Sequence, residues 1–171
     1  PIVDAFYRKR TPEAERSFTQ PSHERRIDSV SAKLSIIRKL VEGKIVFGVD
    51  DSTVRGNTDR KLAKMIRDAD AIEVHKRNGY AQTVQTCPYG IDMKTFDEHI
   101  ANQYPNIKER SKELGFDSML YNGILDLVPA GSEISDLCTR CVSNVDPLDK
   151  DAETRLTQIE QGVSTSSASG Q

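Results

Sequence analysis

The sequence predicts an α/β fold built on a parallel sheet, and three observations point to it. The continuous apolar run Ile45-Val46-Phe47-Gly48-Val49 has the character of a strand buried on both faces. Residues 58–69 follow, with Leu62, Ala63, Met65, Ile66 and Ala69 at helical spacing, and residues 71–76 then alternate as a second strand. Strand, helix and strand within about 32 residues is the length of a βαβ unit, so the two strands are expected to be parallel neighbours.

The other elements follow in chain order. Ile2 to Tyr7 is a short apolar run with strand character, passing into Arg8-Lys9-Arg10 and a polar loop that holds Pro12 and Arg16. Pro21-Ser22 before His23-Glu24-Arg25-Arg26 reads as a capped helix start. Leu34, Ile36, Ile37 and Leu40 offer apolar surface for burial before Gly43 breaks the segment. Gly48 inside the strand marks an expected close backbone approach. Thr95 with Glu98 predicts a capping box for a short helix through Ala101. Asn106 to Leu114 reads as a helix with Gly115 as its C-cap residue, followed by a strand over 117–121. A short apolar helix through Leu127, a loop with two cysteines and a mostly polar helix over 149–161 complete the reading. Residues 162–171, rich in Ser, Gly and Thr, are expected to be disordered.

At 171 residues, with 36% hydrophobic and 29% charged residues, the composition is globular but leans polar. No apolar run approaches the roughly 18 residues of a membrane span, and Pro1 to Arg10 has no signal-peptide pattern. A membrane is therefore not expected as partner, and a net charge of only −2 argues against a general nucleic-acid binder. That average hides a gradient. Residues 1–40 carry 9 Lys and Arg against 5 Asp and Glu, whereas residues 111–171 carry 4 against 10. A basic front on a neutral chain suits a local polyanion site, although a solvated charged face would look the same. Three cysteines cannot all pair, which favours a reducing, cytoplasmic setting.

The most informative segment is Val49-Asp50-Asp51-Ser52-Thr53-Val54-Arg55-Gly56-Asn57-Thr58. It lies where the apolar strand ends and a helix begins, the place where open parallel sheets bind ligands. Backbone N–H groups of a small, hydroxyl-rich loop, together with a helix N-terminus, can cradle a phosphate. The adjacent carboxylates suit sugar hydroxyls, or a magnesium ion shared with a diphosphate. Asp50 and Asp51 alone would also serve as turn and cap residues. The whole string is harder to explain that way, and it is neither a P-loop nor a dinucleotide fingerprint. Cys138-Thr139-Arg140-Cys141, with Cys87 some fifty residues earlier, leaves zinc, redox and iron–sulfur chemistry open. His23, His75 and His99 do not converge, and each reads as structural or exposed.

Residues Val49 to Thr58 resemble the phosphoribosyl diphosphate (PRPP) signature of type I phosphoribosyltransferases, in the form found in the amidophosphoribosyltransferase family. The resemblance continues through residues 64–69, Glu73-Val74-His75 and Cys87-Pro88-Tyr89-Gly90-Ile91-Asp92. Arg16-Ser17-Phe18-Thr19-Gln20-Pro21 and Leu114-Gly115-Phe116-Asp117-Ser118-Met119 extend it upstream and downstream. It implies a type I phosphoribosyltransferase fold, incomplete, ending in a helical, cysteine-loop extension. Residues 1–130 would be the C-terminal part of the phosphoribosyltransferase domain, 131–161 the extension and 162–171 a tail.

The implied reaction transfers glutamine-derived ammonia to C1 of PRPP, releasing diphosphate and opening purine synthesis. Asp50 and Asp51 would hold the ribose hydroxyls and Mg2+, while Ser52, Thr53, Val54, Arg55, Gly56, Asn57 and Thr58 cradle the 5-phosphate. The basic loop with Arg10 and Arg16 would close over the site as its catalytic element. Cys87, Cys138 and Cys141 would be three ligands of a [4Fe–4S] cluster whose fourth ligand lies outside this chain. Residue 1 is Pro, and no cysteine is left for the family's glutaminase nucleophile. The resemblance therefore implies a C-terminal fragment, inactive alone, of an enzyme that is a homo-oligomer at full length. A base-salvage phosphoribosyltransferase and a non-catalytic PRPP-binding regulator are the alternatives.

Overall fold

The computed structural model describes residues 2–8, 34–89 and 95–162. Arg10, Arg16, the helix start at Pro21, Gly90 to Asp92 and residues 163–171 of the tail lie outside them. Among the described residues, two strands, β1 (Phe6–Arg8) and β2 (Leu34–Ile36), pair antiparallel, with Phe6 opposite Ile36. Helix α1 (Arg38–Val41) leads into β3 (Ile45–Asp50), α2 (Asn57–Asp68) and β4 (Glu73–Asn78). Two short helices, α3 (Ile100–Gln103) and α4 (Ile107–Glu113), precede β5 (Ser118–Tyr121). Helices α5 (Arg140–Ser143) and α6 (Ala152–Glu160) end the described chain.

The sheet runs β3-β4-β5, with both pairings parallel. Ile45 faces Glu73 and Asp50 faces Asn78, so the expected βαβ unit is present and the carboxyl ends of β3 and β4 are level. Helix α2 forms because its apolar residues recur on one face: Ala63 and Ile66 are buried, while Lys64 pairs outward with Asp68 at 2.7 Å. Helix α4 starts at Asn106, whose side chain accepts from the N–H groups of Lys108 and Glu109. It ends before Gly115, which at φ +86° takes the left-handed turn expected of it. Ala63 and Ile66 meet Val74, Ile100, Leu114, Phe116 and Met119 in the main core beneath the sheet. A second apolar cluster gathers Ile134, Val145, Ala152 and Leu156.

Several sequence expectations need correction. Strand β3 is not buried on both faces: Ile45, Phe47 and Val49 all point to solvent, Val49 being 79% exposed. Among the described residues the main core lies against only one face of the sheet, so the alternate positions of β3 have no apolar layer to pack against. The close approach expected at Gly48 is absent, because a Cβ there would meet only the His75 carbonyl oxygen at 3.8 Å. Strand β1 begins at Phe6 rather than Ile2, since its pairing with β2 starts at that residue. Val41 takes the buried place offered to Ile37 and Leu40, which remain exposed. No capping box forms at Thr95; the segment is a 3-10 turn over Phe96–Glu98, separated from α3 by His99. His99, read as structural or exposed, is buried, with Nδ1 3.1 Å from the Thr95 carbonyl oxygen. The apolar segment through Leu127 is likewise a 3-10 turn, over Leu125–Leu127.

Candidate functional site

The ten-residue segment singled out in the sequence forms the turn from β3 into α2. Asp50 is the last residue of β3, and Asp51 opens the loop. Gly56 precedes the helix at φ +73°, a left-handed conformation that side chains disfavour. A Cβ at that position would lie 2.5 Å from Leu114 Cδ2, so the helix start packs directly on the core. With glycine there, no side chain caps α2. The first N–H groups of a helix have no intrahelical acceptor and sit at the positive end of its dipole, an arrangement that receives phosphate.

Each side of the loop is tied down. The N–H groups of Gly79 and Tyr80, just past β4, donate to the carbonyls of Asp50 and Asp51, both at 2.8 Å. On the far side the Ile100 N–H donates to the Val54 carbonyl at 2.8 Å, and Arg55 Nε donates to Glu98 Oε2 at 2.7 Å. The two aspartates differ. Asp50 Oδ1 accepts from the Asp51 N–H at 3.1 Å, and Oδ2 accepts from Lys76 Nζ at 2.7 Å. Asp51 Oδ1 accepts from the Ser52 N–H at 2.6 Å, and no donor among the described residues reaches its Oδ2.

Sequence reasoning missed what lies under the loop. Lys76 is buried in β4, and its ammonium also reaches Asp59 Oδ1 at 2.7 Å, in the first turn of α2. Thr53 Oγ1 sits 3.1 Å from Asp59 Oδ2 and 2.9 Å from Asn78 Oδ1, its one proton serving one of them at a time. Burial by itself would push the Lys76 pKa down; the facing Asp59 and Asp50 outweigh it, and the pKa is raised. A signal was present. The inward positions of β4 read Val74, Lys76, Asn78, with two polar residues where a packed strand face calls for apolar ones.

The three cysteines gather beside the segment that follows β4. Cys87 and Cys141 are half-buried, Cys138 is exposed, and all three are free thiols. The Val84 and Gln85 N–H groups donate to the Cys141 carbonyl at 2.8 and 3.1 Å, and Tyr80 Oη lies 3.9 Å from Cys141 Sγ. Burial pushes the Cys141 thiol up, the Tyr80 contact partly offsets it, and Cys87 and Cys138 push it further. Burial also moves the Tyr80 hydroxyl, with the neighbouring Cys141 adding to the shift, to about 12. The thiols are thus electrostatic neighbours. As placed, however, no three His, Cys, Asp or Glu side chains among the described residues form a metal-holding group. Tyr89 joins the two cysteine segments by donating to Asp146, which also pairs with Arg140. His75 is structural, bonded to Ser118 Oγ and to Glu73.

A parallel sheet carrying paired acids and an uncapped helix start at one strand end defines the class, the type I phosphoribosyltransferase fold. No family model matches the chain. It is 41% identical over 138 residues to the amidophosphoribosyltransferase of Methanocaldococcus jannaschii, a match covering 81% of this chain and 29% of that one. The Bacillus subtilis amidophosphoribosyltransferase is 36% identical over 155 residues, covering 88% and 32%. Two solved structures superpose on it, each 32% identical. The glutamine PRPP amidotransferase from B. subtilis complexed with ADP and GMP gives a TM-score of 0.66, covering 86% of this chain and 33% of that one. A structure described as the allosteric regulatory enzyme of purine biosynthesis gives 0.69, covering 89% and 34%. The chain is homologous to the amidophosphoribosyltransferases over most of its length, and it spans about a third of the length of these relatives.

Proposed function

We propose that this chain carries part of the PRPP site of an amidophosphoribosyltransferase, whose reaction joins ammonia drawn from glutamine to C1 of the sugar. The observation that carries the reading is the β3–α2 turn, where Asp50, Asp51 and the α2 N-terminus converge at the carboxyl end of a parallel strand. The homology to enzymes of that name supports it. In the proposed reaction the ammonia lone pair forms the C1–N bond while the C1–O pair departs on diphosphate. The nitrogen now bound to C1 then gives its extra proton to solvent. Charge separates along the breaking bond, and fixed dipoles and charges placed in advance are what lower such a barrier.

The loop from Ser52 to Thr58 holds the 5-phosphate through backbone N–H groups, and Asp51, with its open oxygen, meets the ribose hydroxyls beside Asp50. A magnesium ion of the kind that accompanies a diphosphate takes few protein ligands and completes its shell with phosphate and water. The open Asp51 Oδ2, beside the partly exposed Asp50, fits it, and the metal would supply charge neutralisation at the diphosphate. Arg10 and Arg16 belong to the basic segment proposed to close over the sugar. Cys87, Cys138 and Cys141 are proposed as three iron–sulfur ligands, with a fourth from outside the chain; their present disposition is not a ligand set, and no step of the reaction passes through them. Residues 1–130 are proposed as the phosphoribosyltransferase part and 131–161 as an extension with its own apolar cluster. No described helix is long and apolar enough to cross a membrane. A cytoplasmic, homo-oligomeric enzyme that takes its ammonia from a separate glutaminase part completes the proposal.

The test is D50N/D51N in the complete enzyme. PRPP affinity in the presence of magnesium and ammonia-dependent turnover should both fall by at least about tenfold, the value of one charge-assisted contact. Unchanged values for both would overturn the reading. Iron and sulfide analysis of anaerobically purified enzyme tests the cluster separately.

A further inference from the structure

Lysine is rarely buried, and a buried ammonium is stable only when its charge is answered and its protons are taken. Lys76 has its charge answered twice, by Asp50 and Asp59, and donates a hydrogen bond to Asp50. Its Nζ lies 2.7 Å from Asp50 Oδ2 at the end of β3 and 2.7 Å from Asp59 Oδ1 in the first turn of α2. These residues flank the loop on either side, so one cation closes the loop like a clasp. Thr53, inside the loop, places its one hydroxyl proton between the same Asp59 and Asn78 on the strand of Lys76. The side chain is 3% exposed, and Asp59 5%, whereas Asp50 keeps 42% of its surface open. The clasp therefore lies beneath the loop and its outermost partner faces the site.

We propose that Lys76 is a positioning residue: its buried ammonium fastens Asp50 to Asp59 and preforms the loop that receives the sugar phosphate. This deepens the PRPP reading and rests on it. The arrangement also divides the labour between the two acids. Asp50 has both oxygens engaged within the protein and is held in place, while Asp51 Oδ2 is left for ligand. Preorganisation of this kind raises affinity by removing the ordering cost from the binding step.

The experiment compares the 171-residue chain with K76M, K76R, D59N and K76M/D59N, measuring magnesium–PRPP affinity by calorimetry and amide exchange by mass spectrometry. K76M alone leaves Asp59 buried without its counter-charge and is the variant most exposed to unfolding; K76M/D59N removes both charges and keeps the test readable. The double variant should bind PRPP at least tenfold more weakly. The amides of Tyr80 and Ile100, which bond the loop carbonyls, should exchange at least tenfold faster, while those of α4 stay as in the wild type. K76R should return affinity to within about fivefold, and D59N, which leaves an amide oxygen facing the Lys76 ammonium, should stay within about threefold. A K76M/D59N chain that binds as tightly as the wild type would overturn the proposal. Where the wild-type chain, which carries part of the proposed site, binds no PRPP, amide exchange is the deciding readout. The Tyr80 and Ile100 amides then decide the role of Lys76 alone: unchanged exchange overturns it, and faster exchange upholds it.

Discussion

The two faces of the sheet obey different rules. On the inner face Val74 and Met119 are buried against Ala63, Ile66, Leu114 and Phe116, and the two polar residues there, Lys76 and Asn78, are both bonded. On the outer face Ile45, Phe47, Val49 and Leu120 stand half or more exposed, with the Phe47 ring stacked on His75 and the Arg77 guanidinium above it. Residues of the same β-forming character thus carry very different weight. The inner face holds the strand end and helix start together, and the candidate site lies where they meet. The outer face contributes backbone pairing and little packing.

The sharpest way to break the contrast is where the inner face meets the loop. Gly56→Ala should cost about 2–4 kcal/mol in urea unfolding, from the left-handed backbone and the overlap with Leu114. Leu114→Ala should cost about 3 kcal/mol through its cavity. Together they should cost less than the sum, because the second removes the atom that the first strikes. Additivity would mean that the contact does not decide the site. Next, Val74→Ala on the inner face should lower stability by about 2 kcal/mol.

A smaller effect tests the edge of that face. Asp117 accepts from the Val74 N–H at 2.7 Å and from Arg67 at 2.9 Å. The Val74 bond, then the Arg67 guanidinium, overcome partial burial and hold its pKa below the ordinary 3.8. A folded-state pKa below the unfolded one adds stability above about pH 4 and loses it as pH falls through the lower value. Asp117→Asn should therefore be less stable than wild type at pH 7, by under about 1 kcal/mol given its exposure. The gap between their unfolding midpoints should close in strong acid; a gap independent of pH would rule out this account. The least effect is expected outside: Val49→Ala should fall within about 0.5 kcal/mol of wild type. A loss matching that of Val74→Ala would mean the outer face is packed in solution.

How much of this could be read without coordinates depends on whether the deciding forces were local. The βαβ unit was legible because apolar spacing is set within a dozen residues, and α4 because Asn106 and Gly115 cap it from adjacent positions. The acids at the strand end were legible as a string. Lys76 was not, because its partners stand 26 and 17 positions away in sequence, and only a parallel pairing with a crossing helix brings them together. The exposed side of β3 was misread for a related reason. A run such as Ile45 to Val49 records that a strand is apolar, not which neighbours cover it.

By itself, then, the sequence determined the class of fold and the acid-bearing loop at the strand end, since these rest on short-range pattern and residue chemistry. The tertiary structure alone decided which acid is held and which is open, which face of the sheet is packed, and that a lysine closes the loop from below. Those outcomes depend on the register of β3 against β4 and on where α2 comes down. Burial, which determines how strongly charges couple, follows from packing between distant segments.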